Sequence, residues 1–541
     1  MHIPIRRSPL LLELDLTHPP AAPESDDVLA RLQARGRAQL RPILRALHEA
    51  ARDFRVRGLI AKLGGNLPWA LMQELRRGVL DFAESGKPLI AWAENFAEAD
   101  TSSYVLASAF DEIWLQPGGT LGLLGIGVET TFLRGALDKL GVDPQIEQRH
   151  EYKGAADRIT RTGFTEAYRE SLDALAASLF DDAVSDVAAG RSMTVAQVKD
   201  LVDTGPRTAK EAKAAGLVDH LGYRDQAYAA IRHRVGDDAE LLFADQWRPR
   251  RKLPRRHRAH VALVEVHGGI VSGRSRHSPV GRQAGSDSVG GALRLALEDE
   301  HVRAVVLHID SPGGSAIASE VIWREVFRFR DAGKPIVAAM GAVAASGGYY
   351  VACAADTIVA LPATLTGSIG VLGGKFVASD LLERLGFTTG SVQRGERALM
   401  FSSRRGFGDA ERKRFAATVD AVYDDFVAKV ALGRSRPPDE IEPWARGRVW
   451  SGRDAIRVGL VDEVGGLRHA VALARRRAGL PSDAPVRPAV HIAPLQRLGH
   501  PKNSEDPRAL LRAGPSTSIA RLLEFPDLDR VILRMPPVRL Q

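Results

Sequence analysis

The chain has almost no cysteine, with Cys353 as the only one among 541 residues. A single thiol excludes a disulfide framework and any metal site built from several cysteines. Cys353 lies in a run of small apolar residues, and no histidine stands beside it in the sequence. We therefore expect it to be a small core residue and not a nucleophile.

Long uninterrupted apolar runs are also scarce. Near the start, Arg6-Arg7 precedes only Leu10-Leu11-Leu12 before Glu13 and Asp15, so neither a secretory signal nor a membrane anchor is expected there. The stretch from 335 to 355 has no charged residue and is long enough to span a bilayer. Because a proline and three glycines interrupt it, we expect a folded core segment instead.

Charge of one sign is in modest excess, with 74 Lys and Arg against 66 Asp and Glu and a net charge of +8. Arginine-rich runs lie at 250–252 and 255–258. We expect these runs to belong to a solvated linker, and contact with anionic lipid or nucleic acid is the alternative. No aromatic residues alternate with the arginines as a base-stacking platform requires, so no nucleic-acid partner is expected.

What the chain does have is length and an internal repeat. With 541 residues, 45% of them hydrophobic, it can bury more than one core. The segment 86–90 (GKPLI) matches 333–337 (GKPIV), and 216–219 (GLVD) matches 459–462 (GLVD). The offset stays between 243 and 247 residues, so two whole domains correspond, not two short motifs.

Each half alternates strands with helices, which predicts an α/β fold with a largely parallel sheet and crossover helices. We predict an N-terminal domain at 1–240, a basic linker at 241–258, a C-terminal domain at 259–478 and a proline-rich, mostly disordered tail at 479–541. Short helices are expected in the tail at 509–511 and 519–523. The predicted strands are 10–16, 58–63 and 112–115 in the first half, with a further strand between the last two, and 261–266, 304–309, 336–339 and 357–361 in the second.

The two halves differ in their candidate chemistry. In the second half, a glycine-rich turn, Asp310-Ser311-Pro312-Gly313-Gly314, follows a buried strand, and Ser346-Gly347-Gly348 follows the next strand. Bare backbone amides at such glycines can approach a substrate carbonyl, and Ser346 would precede a helix N-terminus. At the matching place the first half has Thr101-Ser102-Ser103, so the second half carries the candidate nucleophile. Taken alone, Ser346-Gly347-Gly348 is also typical of the start of a helix that packs closely against a neighbouring element.

A serine nucleophile needs a base, and no obvious histidine lies near Ser346 in the sequence. His308 is inside a predicted buried strand, where we expect a packed and satisfied side chain. The first half offers Lys153, within Glu151-Tyr152-Lys153-Gly154, and the matching region of the second half around Glu396 has no lysine. Lysine can act as a general base when burial lowers its pKa.

Four stretches together resemble the signal peptide peptidase A family, also called protease IV, in its long duplicated form. They are 345–350 (ASGGYY), 366–370 (TGSIG), 310–314 (DSPGG) and Tyr152-Lys153. The resemblance implies tandem Clp-protease/crotonase-like domains and a Ser/Lys dyad. It assigns Ser346 as nucleophile, Lys153 as general base, Ser368 as the hydroxyl that orients the lysine, and the Gly313 and Gly347 amides as the oxyanion hole.

The same resemblance implies a serine endopeptidase that hydrolyses cleaved signal peptides or other apolar unfolded peptides through an acyl-enzyme. It also implies a ring- or bowl-shaped homo-oligomer, with a tetramer suspected. No cofactor and no metal are expected. Long members carry an N-terminal transmembrane helix that this sequence lacks, so we expect a cytoplasmic chain or one bound peripherally to the cytoplasmic face of the membrane.

Two other functions stay open. A crotonase-type acyl-CoA enzyme would use the same glycine turns but leaves Ser346 without a role. A catalytically silent peptide-binding scaffold would keep the fold alone, as the first half does. A Ser-His-Asp hydrolase fits less well because Ala344 stands where its G-x-S-x-G motif needs glycine.

Overall fold

The computed structural model describes residues 9–20, 38–96, 100–249, 259–278, 281–490, 531–534 and 539–540. The described chain falls into two compact units, the first within Met1–Gly127, Ala177–Arg256 and Leu540–Gln541 and the second within Val128–Ala176 and His257–Arg539. The units do not follow the repeat boundaries, because 128–176 groups with the second repeat. The predicted boundaries at 240, 258 and 478 stay predictions.

The helices and strands alternate along most of the chain, as the sequence predicts. The helices are α1 (Leu40–Glu49), α2 (Trp69–Ala83), α3 (Thr101–Ala107), α4 (Arg134–Leu140), α5 (Asp157–Thr160), α6 (Glu166–Arg191), α7 (Val195–Asp203), α8 (Ala209–Ala214), α9 (Arg224–Val235), α10 (Ser286–Glu298), α11 (Ala316–Asp331), α12 (Gly347–Ala352), α13 (Ser379–Arg384), α14 (Asp409–Arg434), α15 (Pro438–Ile441), α16 (Gly452–Arg457) and α17 (Leu467–Arg477). Short 3-10 turns occupy Ala50–Arg52, Ala244–Gln246 and Glu442–Trp444.

The strands are mostly short. They are β1 (Leu10–Leu16), β2 (Val56–Leu63), β3 (Leu89–Ala93), β4 (Glu112–Leu115), β5 (Thr120–Leu121), β6 (Val128–Glu129), β7 (Asp143–Gln148), β8 (Arg207–Thr208), β9 (His220–Leu221), β10 (Glu240–Phe243), β11 (His260–His267), β12 (Gly269–Val271), β13 (Arg276–Ser278), β14 (Gly281–Gly285), β15 (Val302–Ser311), β16 (Gly313–Ser315), β17 (Ile336–Ala345), β18 (Thr357–Ala360), β19 (Leu365–Gly367), β20 (Leu372–Val377), β21 (Val449–Ser451), β22 (Glu463–Val464), β23 (Val486–Pro488), β24 (Val531–Arg534) and β25 (Arg539–Leu540).

In the first unit, a six-stranded parallel sheet has the order β10-β1-β2-β3-β4-β9. Helix α9 covers one face, where Ile231 packs in a cluster with Leu11 and Ile60. Strand β10 lies partly inside the predicted linker and joins the sheet because Leu241 and Leu242 extend its apolar edge. The arginine runs of that linker fall largely at 250–258, outside the described residues.

In the second unit, an eight-stranded sheet has the path β21-β19-β17-β15-β11-β23, and β18 and β22 join beside β17. Its core strands are parallel, and both faces are covered, as the apolar runs in β15 and β17 predict. On one face, Val264 and Leu307 pack in a cluster with Ile322 of α11 and Tyr349 of α12. On the other face, α17 packs against a separate apolar cluster. The charge-free stretch 335–355 is therefore a strand and a short helix, and within the described ranges no helix is long and apolar enough to cross a membrane.

A second sheet of this unit has the order β13-β14-β12-β16-β24-β20-β7. The predicted turn at 310–314 is wrong in one respect. After Pro312 the chain does not turn directly into a helix, because Gly313–Ser315 extends as β16 and pairs with β12 and β24. Strand β24 belongs to the predicted tail and runs antiparallel to both β16 and β20. The helices predicted at 509–511 and 519–523 lie outside the described residues.

The duplication is visible in matching hydrogen bonds. The Tyr104 hydroxyl donates to the Leu217 carbonyl at 2.7 Å, and the Tyr349 hydroxyl donates to the Leu460 carbonyl at 2.8 Å. Each repeat also has an arginine–aspartate ion pair at the equivalent position. Arg191 pairs with Asp219, and Arg434 pairs with Asp462. Contacts repeated at the sequence offset confirm that both repeats have the same α/β fold.

Candidate active site

Ser346 lies at the junction between strand β17 and helix α12, as the sequence predicts. Its φ of 57° and ψ of −117° are unusual for a residue with a side chain. Two backbone hydrogen bonds hold this conformation: Ser346 N donates to the Gly367 carbonyl at 2.8 Å, and Tyr350 N donates to the Ser346 carbonyl at 2.8 Å. The serine side chain, fully buried in the structure, is thereby fixed in direction.

Lys153 reaches this serine from the loop that follows strand β7. Its side chain is 0% exposed. The Nζ atom lies 2.8 Å from Ser346 Oγ, 2.8 Å from the Ser368 carbonyl oxygen and 3.0 Å from Ser368 Oγ. Burial holds the pKa of the Lys153 amine well below its ordinary value, because desolvation penalises the ammonium form. Lys153 thus lies within hydrogen-bond distance of two other predicted site residues, Ser346 and Ser368, inside one unit.

The loop that carries Lys153 is held by the segment after α15. Tyr152 N donates to the Arg446 carbonyl at 3.2 Å, and the Arg446 guanidinium pairs with the Glu151 carboxylate at 2.8 Å. Gly447, at φ +87°, passes so close that a Cβ there would lie 2.6 Å from Lys153 N. Only glycine fits this approach. Sequence analysis did not find this support, because residues 446–447 and 151–153 are distant in the chain.

The two predicted oxyanion-hole residues are neighbours. A Cβ on Gly347 would lie 3.2 Å from Gly313 Cα and 2.6 Å from Ser319 Oγ, so the start of α12 sits directly against the β15–β16 connection. The Gly313 amide already has a partner, since it donates to Ser311 Oγ at 3.1 Å. An incoming oxyanion would have to take over this amide from Ser311.

The other side chains considered in the sequence take no part in this cluster. His308 Nδ1 lies 3.1 Å from His267 Nε2. Cys353 is buried, and desolvation raises the pKa of its thiol to about 12. Both are unsuited to activate Ser346.

In the first unit, an aspartate stands before the helix that corresponds to α12. Asp100 precedes helix α3 as Ser346 precedes α12, and its carboxylate accepts hydrogen bonds from Ser103 N at 3.2 Å and from Gly65 N at 3.1 Å. A carboxylate of the chain itself therefore occupies amides of the strand–turn–helix junction there.

A buried serine at a strand–helix junction, beside a buried amine and bare glycine backbone, is typical of serine hydrolases. The sequence profile of Peptidase family S49 matches residues 81–236 and 328–481. The chain belongs to this family twice over, once in each repeat, and it is a serine-type peptidase with a tandem α/β fold.

Individual relatives agree. The chloroplastic serine protease SPPA of Arabidopsis thaliana is 32% identical over 442 residues, which are 80% of this chain and 65% of that one, so the match spans less than two thirds of the plant protein. Protease 4 of Salmonella typhi is 31% identical over 81% of this chain and 72% of its own length. Protease 4 of Haemophilus influenzae is 30% identical over 82% of this chain and 73% of its own length. Among solved structures, ClpP1 of Listeria monocytogenes matches 39% of this chain and 94% of its own at 14% identity, with a TM-score of 0.25.

Proposed function

We propose that the protein is an endopeptidase in which Ser346 is the nucleophile and Lys153 the general base, acting on cleaved signal peptides or other apolar unfolded peptides. The observation that carries this proposal is the 2.8 Å contact between Lys153 Nζ and Ser346 Oγ in a fully buried setting. A neutral amine has two N–H donors and one lone pair. Ser368 supplies two acceptors and the Ser346 hydroxyl supplies one donor, so the three contacts fit the neutral form.

The reaction follows from these contacts. Lys153 Nζ takes the Ser346 proton as Oγ bonds to the substrate carbonyl carbon, and the carbonyl π electrons move onto oxygen. The Gly313 and Gly347 amides hold the oxyanion, each donor contributing about 3 kcal/mol. The Lys153 ammonium gives its proton to the leaving amine as the C–N bond breaks. Water then attacks the acyl-enzyme by the same proton route and releases the acid product.

Substrate binding is proposed to use the gap between strands β16 and β20. That gap already accepts an extended segment of the chain, β24, in which Arg534 pairs with Gly313 and Ile532 pairs with both Ser315 and Leu372. Because such pairing is made by backbone groups, it selects extended chains with little dependence on side chains. An unfolded peptide that enters antiparallel to β16 would run directly past Gly313.

The test uses a quenched apolar signal-peptide-like substrate and a denatured protein, from neutral to alkaline pH. Ser346→Ala should remove cleavage and labelling by a fluorophosphonate, whereas Ser108→Ala, at a buried serine of the first unit, should keep both. Cleavage that survives in Ser346→Ala would refute the assignment. Absence of cleavage and labelling in the folded wild type would favour the binding scaffold, and turnover of acyl-CoA thioesters would favour the crotonase alternative.

We also propose a homo-oligomer, with four copies as the expected number. Light scattering should then give four times the chain mass of 58.6 kDa. A monomer at working concentrations would contradict this. The cytoplasmic or peripheral membrane location expected from the sequence stays a prediction.

A further inference from the structure

Three potential metal ligands meet on strands β11 and β15, away from the serine site. Glu265 and His308 are direct partners in the parallel register, and His267 is two residues beyond Glu265 on the same face. One ligand atom from each of the three lies within 4.8 Å of the others, and Glu265 and His308 are half-buried. Their face is that of Leu263 and Val306, whereas Tyr349 of helix α12 packs on the opposite face.

This cluster breaks the pattern of its strands. Strands covered on both faces are usually apolar throughout, and after His260 and Arg303 at their amino-terminal ends β11 and β15 are apolar until these positions. The first repeat offers an internal comparison. There, the equivalent register pair, the sixth in each strand pair, is Asp15 opposite Lys62, which contains no nitrogen ligand for a metal because a lysine ammonium has no lone pair. The two imidazoles are therefore a feature of the second repeat alone, and neither serves the catalytic serine.

We propose that Glu265, His267 and His308 bind one Zn²⁺ ion, with a fourth position open to water. Two imidazoles and a carboxylate are a set that zinc takes, whereas Mg²⁺ and Ca²⁺ prefer oxygen ligands alone. At Zn–N distances of about 2.0–2.1 Å, tetrahedral ligands lie about 3.3 Å apart. The His267 Nε2 and His308 Nδ1 atoms are 3.1 Å apart, so little movement is needed.

The metal would tie two adjacent strands together at their carboxyl ends. Strand β15 continues from His308 to Ser311, and Gly313 follows after Pro312. The ion thus stiffens the strand that leads to the proposed oxyanion-hole glycine, without contacting the substrate. Its binding is independent of the proposed peptidase mechanism and can be measured in the Ser346→Ala variant.

The experiment titrates Zn²⁺ into the full-length chain after EDTA treatment and dialysis, against a chromogenic chelator. With 15 histidines in the chain, some weak background binding is expected in every sample. His267→Gln and His308→Gln should each weaken the tight site at least about 100-fold, since removal of even an outer-sphere partner costs 10- to 100-fold. His301→Gln, at a histidine just before the amino-terminal end of β15 that lies 3.9 Å from Glu300, is the control and should keep one tight ion per chain.

A second measurement needs no variant. Co²⁺ added to the wild type should give the visible absorption bands of a four- or five-coordinate site, and one equivalent of Zn²⁺ should remove them. Equal zinc affinity in all variants, absence of a tight site in the wild type, or a preference for Mg²⁺ or Ca²⁺ would each overturn the proposal. The three side chains would then form a hydrogen-bonded polar cluster only.

Discussion

At the scale of single residues, the proposed chemistry depends on the buried amine of Lys153. Its three close partners are all uncharged oxygens, two of them from Ser368. The fold therefore makes no strong electrostatic compensation for an ammonium ion there, and the neutral base is favoured. The same burial that prepares the base must destabilise the folded state whenever the amine is protonated.

Replacing Lys153 by methionine should separate these two effects. Peptidase activity should fall about 10²- to 10⁴-fold through loss of the base. Stability should rise, because between the depressed pKa and the ordinary value of 10.5 the unfolded chain binds a proton that the folded chain does not. The gain in Tm should be largest at neutral pH or below and should shrink as pH approaches that ordinary value. Lys413→Met, at an exposed lysine of the same unit, should change neither the peptidase activity nor the Tm. A gain in Tm of Lys153→Met that does not depend on pH would contradict the buried-amine interpretation.

Ser368 should act as a positioning residue. Ser368→Ala removes one acceptor of the Lys153 amine but keeps the carbonyl, so kcat should fall up to about tenfold, the size of one hydrogen bond. The Ser368 hydroxyl accepts a hydrogen bond and so favours the ammonium form of Lys153, and its loss should lower the pKa of the amine. The acid limb of the pH–rate profile should therefore move to lower pH. Ser368 has a φ of 48°, so Ser368→Gly is the matched variant that removes the hydroxyl without backbone strain. An unshifted pH profile in both variants would mean that Ser368 does not contact the base in solution.

At the scale of secondary-structure elements, the active site depends on how closely helix α12 approaches the β15–β16 connection. A Cβ on Gly347 would lie 2.6 Å from Ser319 Oγ and 3.1 Å from Gly314 N. The first atom belongs to a side chain, but the second is backbone of strand β16 and cannot move alone. The helix and the strand must therefore separate to accept any side chain at this position.

Gly347→Ala should lower kcat at least about 10²-fold, the cost of one misplaced oxyanion donor, and should also lower Tm. Combining it with Ser319→Ala should recover part of the Tm but little of the rate, because the contact with β16 persists. Gly390→Ala is the control, since nothing lies within 4 Å of a Cβ there. Full activity of Gly347→Ala would remove the residue from the oxyanion hole.

The sequence predicts those elements whose signals are local. The apolar runs of β2, β15 and β17 and the serine–glycine junction at Ser346 follow from nearest neighbours in the chain. Lys153 emerges only by comparing the halves, since nothing around it marks burial. The support from Gly447 depends on a long-range contact that no local pattern encodes, and so does the pairing of β24. The Glu265, His267 and His308 cluster needs the register of two strands, which the sequence leaves open.

At the scale of the whole molecule, the two repeats share their main-chain framework, but the proposed catalytic side chains are divided between them. Paired contacts such as Tyr104 with Leu217 and Tyr349 with Leu460 are retained in both repeats. At the junctions, however, one repeat presents Ser346 and the other presents the Asp100 carboxylate. The segment 128–176, which carries Lys153, comes from the first repeat in sequence and groups with the second in contacts. Sequence repeats and folded units are therefore different divisions of this chain.

Strand β24 lies in the gap proposed for substrates, and it is covalently attached to the enzyme that would cleave them. A tethered competitor acts at an effective concentration, often in the millimolar range, that is fixed by the chain between its ends. If substrates use this gap, each must displace β24, and the apparent KM should then be raised while kcat is not. Unlike a free inhibitor, this one does not leave when the protein is diluted.

Ile532→Pro tests this competition, because proline has no backbone N–H to donate to the sheet. The variant should show an apparent KM lower by about tenfold or more, with kcat unchanged. A synthetic peptide of residues 527–541 should inhibit it, and the same peptide carrying Ile532→Pro should not. Equal KM values for the variant and the wild type would show that the strand leaves the gap at no cost. If the variant has the lower KM, the chain restrains its own peptidase activity to the same degree at every protein concentration.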